Sequence, residues 1–201
     1  MYALYVTHPQ VMMDPAVPVT RWGLSPTGRE RALAFAAHPL LRGVRRIISS
    51  DERKALELAG ILAETKGAVV SVDPQCGEND RTATGFVPPD RFEQLADAFF
   101  AYPDDSVEGW ETARAAQVRI VAAVERALAA HESTEPIVFA GHGAVGTLLK
   151  CHLDGRVIAR SEDQRGIGDP GGGNVLVIRL ADRKLFGDWT PMEKLPQRLP
   201  F

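Results

Sequence analysis

Two histidines occupy equivalent places in the chain. His8 follows a short apolar run, Tyr2 to Val6, and His142 follows a second run, Ile137 to Ala140, inside Gly141-His142-Gly143. An imidazole with an ordinary pKa near 6.5 can attack, donate or accept at neutral pH. A pair of them suits nucleophilic or acid–base work on an oxyanion. Taken singly, a histidine at a strand end is more often a hydrogen-bonded structural residue. The two together, each at a strand-to-helix junction, point to a site. The cations Arg53 and Lys54 follow a third such junction, Ser49-Ser50-Asp51-Glu52, whose acids read as first-turn partners of a helix dipole.

The elements that must bring these residues together read as an alternation of strand and helix. Tyr2 to Val6, Val44 to Ile48, Val69 to Val72, Ile137 to Ala140 and Val175 to Leu180 have the apolar character of buried strands. Ser25-Pro26 reads as an N-cap followed by proline at the first helical position. The helix after it should bury Leu33, Ala36, Ala37 and Leu40. A second helix capped by Ser50 should bury Ala55, Leu58, Ala59 and Leu62. Further helices are expected near Arg91 to Ala101, from Glu111 to Ala130 with Ala116, Ile120, Ala123, Val124 and Ala127 inward, and from Gly143 through Leu149. The order predicts an α/β fold of three layers, α/β/α, on a mainly parallel sheet. In such a sheet the carboxyl ends of the strands share one edge, where ligands bind. His8 and His142 would therefore meet although they are far apart in sequence.

With 201 residues the chain fits one domain, 1–201. Within it, 73–110, irregular at both ends, reads as an insertion covering the pocket and 189–201 as an extended surface tail. A hydrophobic content of 45% and a net charge of -3 describe a globular chain with no global basic field for nucleic acid or membrane. Cys76 and Cys151 form no metal-ligand or CxxC pattern, so two reduced thiols in a cytoplasmic protein are expected, without metal or cofactor. The first apolar run is too short for a leader or a membrane span.

Five motifs in this order carry a resemblance: Thr7-His8-Pro9, Leu24-Ser25-Pro26-Thr27-Gly28, Ser49 to Ala55, Gly77-Glu78-Asn79 and Gly141-His142-Gly143. Over about residues 1–180 they resemble the histidine phosphatase (phosphoglycerate mutase-like) superfamily. The resemblance implies hydrolysis of a phosphate monoester through a phosphohistidine on His8. His142 would stabilise the phosphoryl oxygens, and Glu78 would protonate the leaving oxygen and then activate water. It also implies a phosphorylated metabolite or phosphoprotein as partner, with a homodimer allowed. Two departures stand out. The family's first arginine is Thr7 here and the following glycine is Pro9. Losing one preorganised donor costs on the order of 10²–10³ in rate. A catalytically impaired sensor or scaffold is therefore the alternative to a working phosphatase. The motif count places Lys54 at the second arginine position. Because frames shift easily in a first helical turn, Arg53 is the expected phosphate ligand and Lys54 the alternate. Arg21 is a candidate to replace the missing arginine, and Arg81 could bind the far end of a substrate or pair with Asp80 or Asp90.

Overall fold

The computed structural model describes residues 1–132 and 134–201. Among them the chain forms seven strands: β1 (Tyr2–Thr7), β2 (Arg46–Ser49), β3 (Val69–Val72), β4 (Ile137–Gly141), β5 (Asn174–Arg179), β6 (Lys184–Leu185) and β7 (Thr190–Pro191). They make one sheet in the order β3-β2-β4-β1-β5-β6, with β7 also on β5. The first four strands are parallel and the last three antiparallel, so the fold is α/β on a mostly parallel sheet.

Period-two alternation gives the sheet two apolar faces. Ala3, Tyr5, Ile137, Phe139, Leu176 and Ile178 face one core. It is closed by α3 (Pro89–Ala101), α4 (Ala113–Ala129) and α5 (Gly143–Leu153). Leu4, Val6, Ile47, Val138, Val175 and Val177 face the other core, closed by α1 (Pro26–Ala36) and α2 (Arg53–Lys66). A short α6 (Gln164–Ile167) lies in the loop before β5.

Several expectations are corrected. Helix α1 buries Gly28, Ala32, Phe35 and Ala36, while Leu33 and Ala37 are exposed. Its axial rotation is set by Phe35, the largest apolar group it can turn inward. Helix α2 begins at Arg53, not at Ser50, and its N-cap Glu52 makes no side-chain capping bond. The tail is not confined to the surface. Trp189, Met192 and Leu195 are buried, and β7 hydrogen-bonds to the sheet. The inward stripes expected for α2 and α4 are buried as expected.

The loop after His8 is pinned to the start of α1. Ser25 N–H donates to the Gln10 carbonyl at 2.9 Å, and Met12 N–H to that of Gly23 at 2.9 Å. A Cβ on Gly28 would lie 2.1 Å from the Gln10 carbonyl oxygen, so only glycine permits the approach. On the other side, Gly173 N–H donates to the His8 carbonyl at 3.1 Å. The N–H groups of Gly171 and Gly172 are taken by Asp169, so this run does not present them to an anion.

Candidate active site

Sheet order explains why the histidines meet. β1 and β4 are parallel neighbours with Thr7 opposite Gly141, and His8 N–H donates to the Gly141 carbonyl at 3.0 Å. Their rings sit edge to face, with centroids 5.4 Å apart. His8 Nδ1 is 2.9 Å from the Pro9 carbonyl oxygen. A carbonyl only accepts, so Nδ1 carries the proton and Nε2 keeps its lone pair. Desolvation, with the nearby Lys54 charge, pushes the His8 pKa down to about 4. The ring is neutral at pH 7, the form a nucleophile needs.

His142 is fully buried, and desolvation lowers its pKa to about 4 as well, against the raising influence of Glu52 and Glu78. Its Nε2 is 2.6 Å from Ser50 Oγ and 3.5 Å from Glu52 Oε1, while Nδ1 has no partner among the described residues. Ser50 thus serves the imidazole instead of capping α2, which explains the later helix start.

The rotated start decides between the two cations. Lys54 is buried and lines the cavity onto which His8 opens. Its Nζ donates to the Val19 carbonyl at 3.0 Å and pairs with the Glu52 carboxylate. Arg53 points outward and pairs with Glu57 at 2.8 Å. The expectation that Arg53 would reach the phosphate site is therefore corrected. A helix beginning at residue 53 turns residue 54 inward and leaves 53 about 100° away. Arg21 is also misplaced by the sequence reading. It is exposed and borders a shallow depression with Arg53, outside the His8 cavity.

Glu78 lies in the cavity wall. Its oxygens accept from the N–H groups of Asn79 at 3.1 Å, Ala144 at 3.1 Å and Val145 at 3.0 Å. The last two belong to the first turn of α5, whose unpaired N–H groups favour a carboxylate. Arg81 lines the same cavity. Its guanidinium lies over the rings of Phe92 and Trp110, at 5.1 and 5.6 Å from their centroids, rather than pairing with Asp80 or Asp90.

Sequence reasoning missed Glu52. Its carboxylate accepts from Glu78 N–H at 2.9 Å, pairs with Lys54 and lies beside His142. Burial alone would raise its pKa, but His142 and Lys54 outweigh burial and hold it down to about 2. An ionised carboxylate thus takes up donors that an oxyanion beside His8 would use. The sequence reading took Glu52 only as a first-turn partner of the helix dipole. Thr7, where the arginine is missing, is fully buried. Its hydroxyl donates to Gln164 Oε1 at 2.8 Å and accepts from Asn174 N–H at 2.9 Å. A neutral hydrogen-bonded network therefore fills the space behind His8.

Comparison with known proteins agrees with this fold. The family model for the histidine phosphatase superfamily (branch 1) matches residues 17–180, beginning after His8. No curated protein matches the sequence. Mycobacterial glucosyl-3-phosphoglycerate phosphatase is similar in structure, with a TM-score of 0.74 at 20% identity over 94% of this chain and 98% of that one. Bacillus stearothermophilus YhfR gives 0.72 at 18% identity over 92% and 94% of the two chains. A putative alpha-ribazole-5'-P phosphatase from Escherichia coli gives 0.68 at 15% identity over 94% and 96%. Identities this low establish shared architecture alone. The span of the family match, together with the paired histidines, shows that the chain belongs to the histidine phosphatase superfamily.

Proposed function

We propose that the protein is a metal-independent cytoplasmic phosphatase that hydrolyses a phosphate monoester through a phosphohistidine on His8. The observation that carries this reading is the state of His8: a neutral ring, its Nδ1–H committed to the Pro9 carbonyl, its Nε2 free, beside a second histidine. Nε2 donates its lone pair to phosphorus as the bond from phosphorus to the alcohol oxygen breaks. Glu78 gives that oxygen a proton, which a substrate monoanion can first supply. Water then attacks phosphorus, Glu78 takes the water proton, and the electron pair of the P–N bond returns to Nε2. Lys54 and Arg81 supply the positive charge that phosphoryl transfer needs on the non-bridging oxygens. His142 completes this cradle once its Nε2 is released from Ser50 Oγ.

The test is turnover of p-nitrophenyl phosphate without added metal, in the wild type and in His8→Ala. The wild type should turn over and, after alkaline quench, carry a phosphoryl adduct on the peptide containing His8. The variant should do neither. Turnover that survives in His8→Ala would overturn the reading. The pairing of Glu52 with Lys54, together with Thr7 in place of arginine, favours one second reading, a sensor that binds a phosphorylated ligand without cleaving it. Tight phosphate binding with no turnover would select it.

A further inference from the structure

The cavity that His8 opens onto has a volume of about 420 Å³, room for an ester larger than phosphate alone. Its walls are aromatic: Trp22, Phe86, Phe92, Phe99, Phe100 and Trp110 all line it. Trp22 and Phe86 form one tilted pair with centroids 5.9 Å apart, and Phe92 and Trp110 another at 6.0 Å. Planar apolar groups gain most from such ring faces, while a hydroxyl set against them loses water, and polar wall residues such as Asp163 and Gln164 already serve Arg160, Thr7 and Asn174.

The charges in the wall are unevenly free. Arg160 is shared among Glu93, Asp97 at 3.2 Å and Asp163 at 2.7 Å. Arg165 pairs with Glu93 at 2.9 Å, and Lys54 with Glu52. Among the described residues Arg81 alone of the cavity's basic groups has no carboxylate partner, being held on two ring faces instead. Its charge reaches His8, since it is among those that depress that ring's basicity. Two residues before it, Asn79 is 4% exposed, lines the same cavity, and has an Nδ2 with no hydrogen-bond partner. A buried amide donor left open in a cavity wall calls for an acceptor from a ligand. The free donors thus cluster beside Glu78, whereas the Arg160 side is already neutralised by its own acids.

We propose that the site takes the phosphate monoester of a planar, mainly apolar alcohol carrying no second anionic group, with Arg81 and Asn79 on the phosphoryl oxygens and the aromatic walls around the ring system. This rests on the phosphatase reading above. A sugar or glycerate phosphate would set its hydroxyls against ring faces, and a second carboxylate would compete with the phosphoryl group for Arg81.

The test compares 2-naphthylmethyl phosphate, glycerol 1-phosphate and 3-phosphoglycerate. The first two release primary alcohols, so leaving-group basicity differs little. Burial of one fused ring system should raise kcat/KM for the naphthylmethyl ester on the order of 30-fold over glycerol 1-phosphate. 3-Phosphoglycerate should be the poorest of the three. Phe86→Ala should lower the naphthylmethyl-to-glycerol ratio about fivefold. Parity, or a preference for glycerol phosphate, would overturn the substrate class and leave the phosphatase reading standing. Absence of turnover with all three and with p-nitrophenyl phosphate would sink the phosphatase reading instead. Binding then decides the class: by tryptophan fluorescence, the naphthylmethyl ester should bind at least about tenfold tighter than inorganic phosphate. Equal affinities would refute it.

Discussion

Replacing Glu52 by glutamine should tighten the grip of the site on phosphate while loosening the free protein. Glu52 and an incoming phosphoryl oxygen would share Lys54 Nζ and flank His142 Nε2, which already lies 3.5 Å from Glu52 Oε1. Two anions on one ammonium sit about 5 Å apart. At an effective dielectric of about 20, one unit charge at that distance repels another by about 3 kcal/mol. Removing the carboxylate charge should therefore lower the Kd for inorganic phosphate on the order of 10²-fold, at about 1.4 kcal/mol per decade. Glutamine keeps an oxygen for the Glu78 N–H, so the loop position survives. The cost appears without ligand, where Lys54 becomes a buried cation with no acid beside it, a loss of several kcal/mol. The assay is isothermal calorimetry with phosphate, with thermal unfolding scanned with and without ligand. Glu52→Gln should melt lower than the wild type when empty and gain more from phosphate. An unchanged or weaker phosphate affinity in a folded variant would refute the argument and make Glu52 a residue that positions Lys54.

Three further outcomes are expected. His8 and His142 titrate near 4 when folded, below the ordinary 6.5, so the unfolded chain binds more protons between those values. Stability should be complete above about pH 6.5 and fall toward pH 4, by up to about 1.4 kcal/mol per pH unit for each ring, measured as urea midpoints against pH. Glu52, held at about 2, adds a further loss as pH drops below its unfolded value near 4.5. In the rate profile, the acid limb due to His8 should lie near pH 4, and a limb near 6.5 would contradict a desolvated ring. Thr7→Val should cost about 1–3 kcal/mol, because it leaves Asn174 N–H buried without its acceptor. Lys54→Ala should cut kcat/KM on p-nitrophenyl phosphate by about 10² or more. Arg53→Ala should change it less than about twofold, and the reverse order would restore the frame expected from sequence.

The sheet and the convergence of the histidines were legible because they follow from burial on both faces. Ala3 to Val6 and Ile137 to Ala140 are continuous apolar runs, and such runs become neighbouring interior strands. The start of α2 was not legible. Ser49-Ser50-Asp51-Glu52 has the composition of a cap, but Ser50 is claimed by an imidazole 92 residues away, and local chemistry cannot show that. The motif count gives Lys54, and allowing for a shifted frame in the first turn carried the wrong cation into the site. The inward face of α1 was misjudged because Leu33 and Phe35 are both apolar, and only packing says which is used. Prolines in the last segment suggested a surface strap, yet Trp189, Met192 and Leu195 anchor it in the core. Arg81 and Trp110 lie in irregular chain, where spacing carries no direction. Glu52 was read as a first-turn acid, because local composition cannot show that it turns toward Lys54 and His142.

The carboxylate of Glu78 closes the first turn of α5 from 66 residues upstream. One side chain thereby works as a latch between the covering segment and the central scaffold, and the same atoms would hand over the proton in catalysis. Protonation turns one of its oxygens from acceptor to donor and weakens that latch. Substitutions at Glu78 should consequently alter the order of residues 73–110, visible as faster amide exchange there, as well as the rate of turnover. Proton transfer and the packing of residues 73–110 would then share one joint.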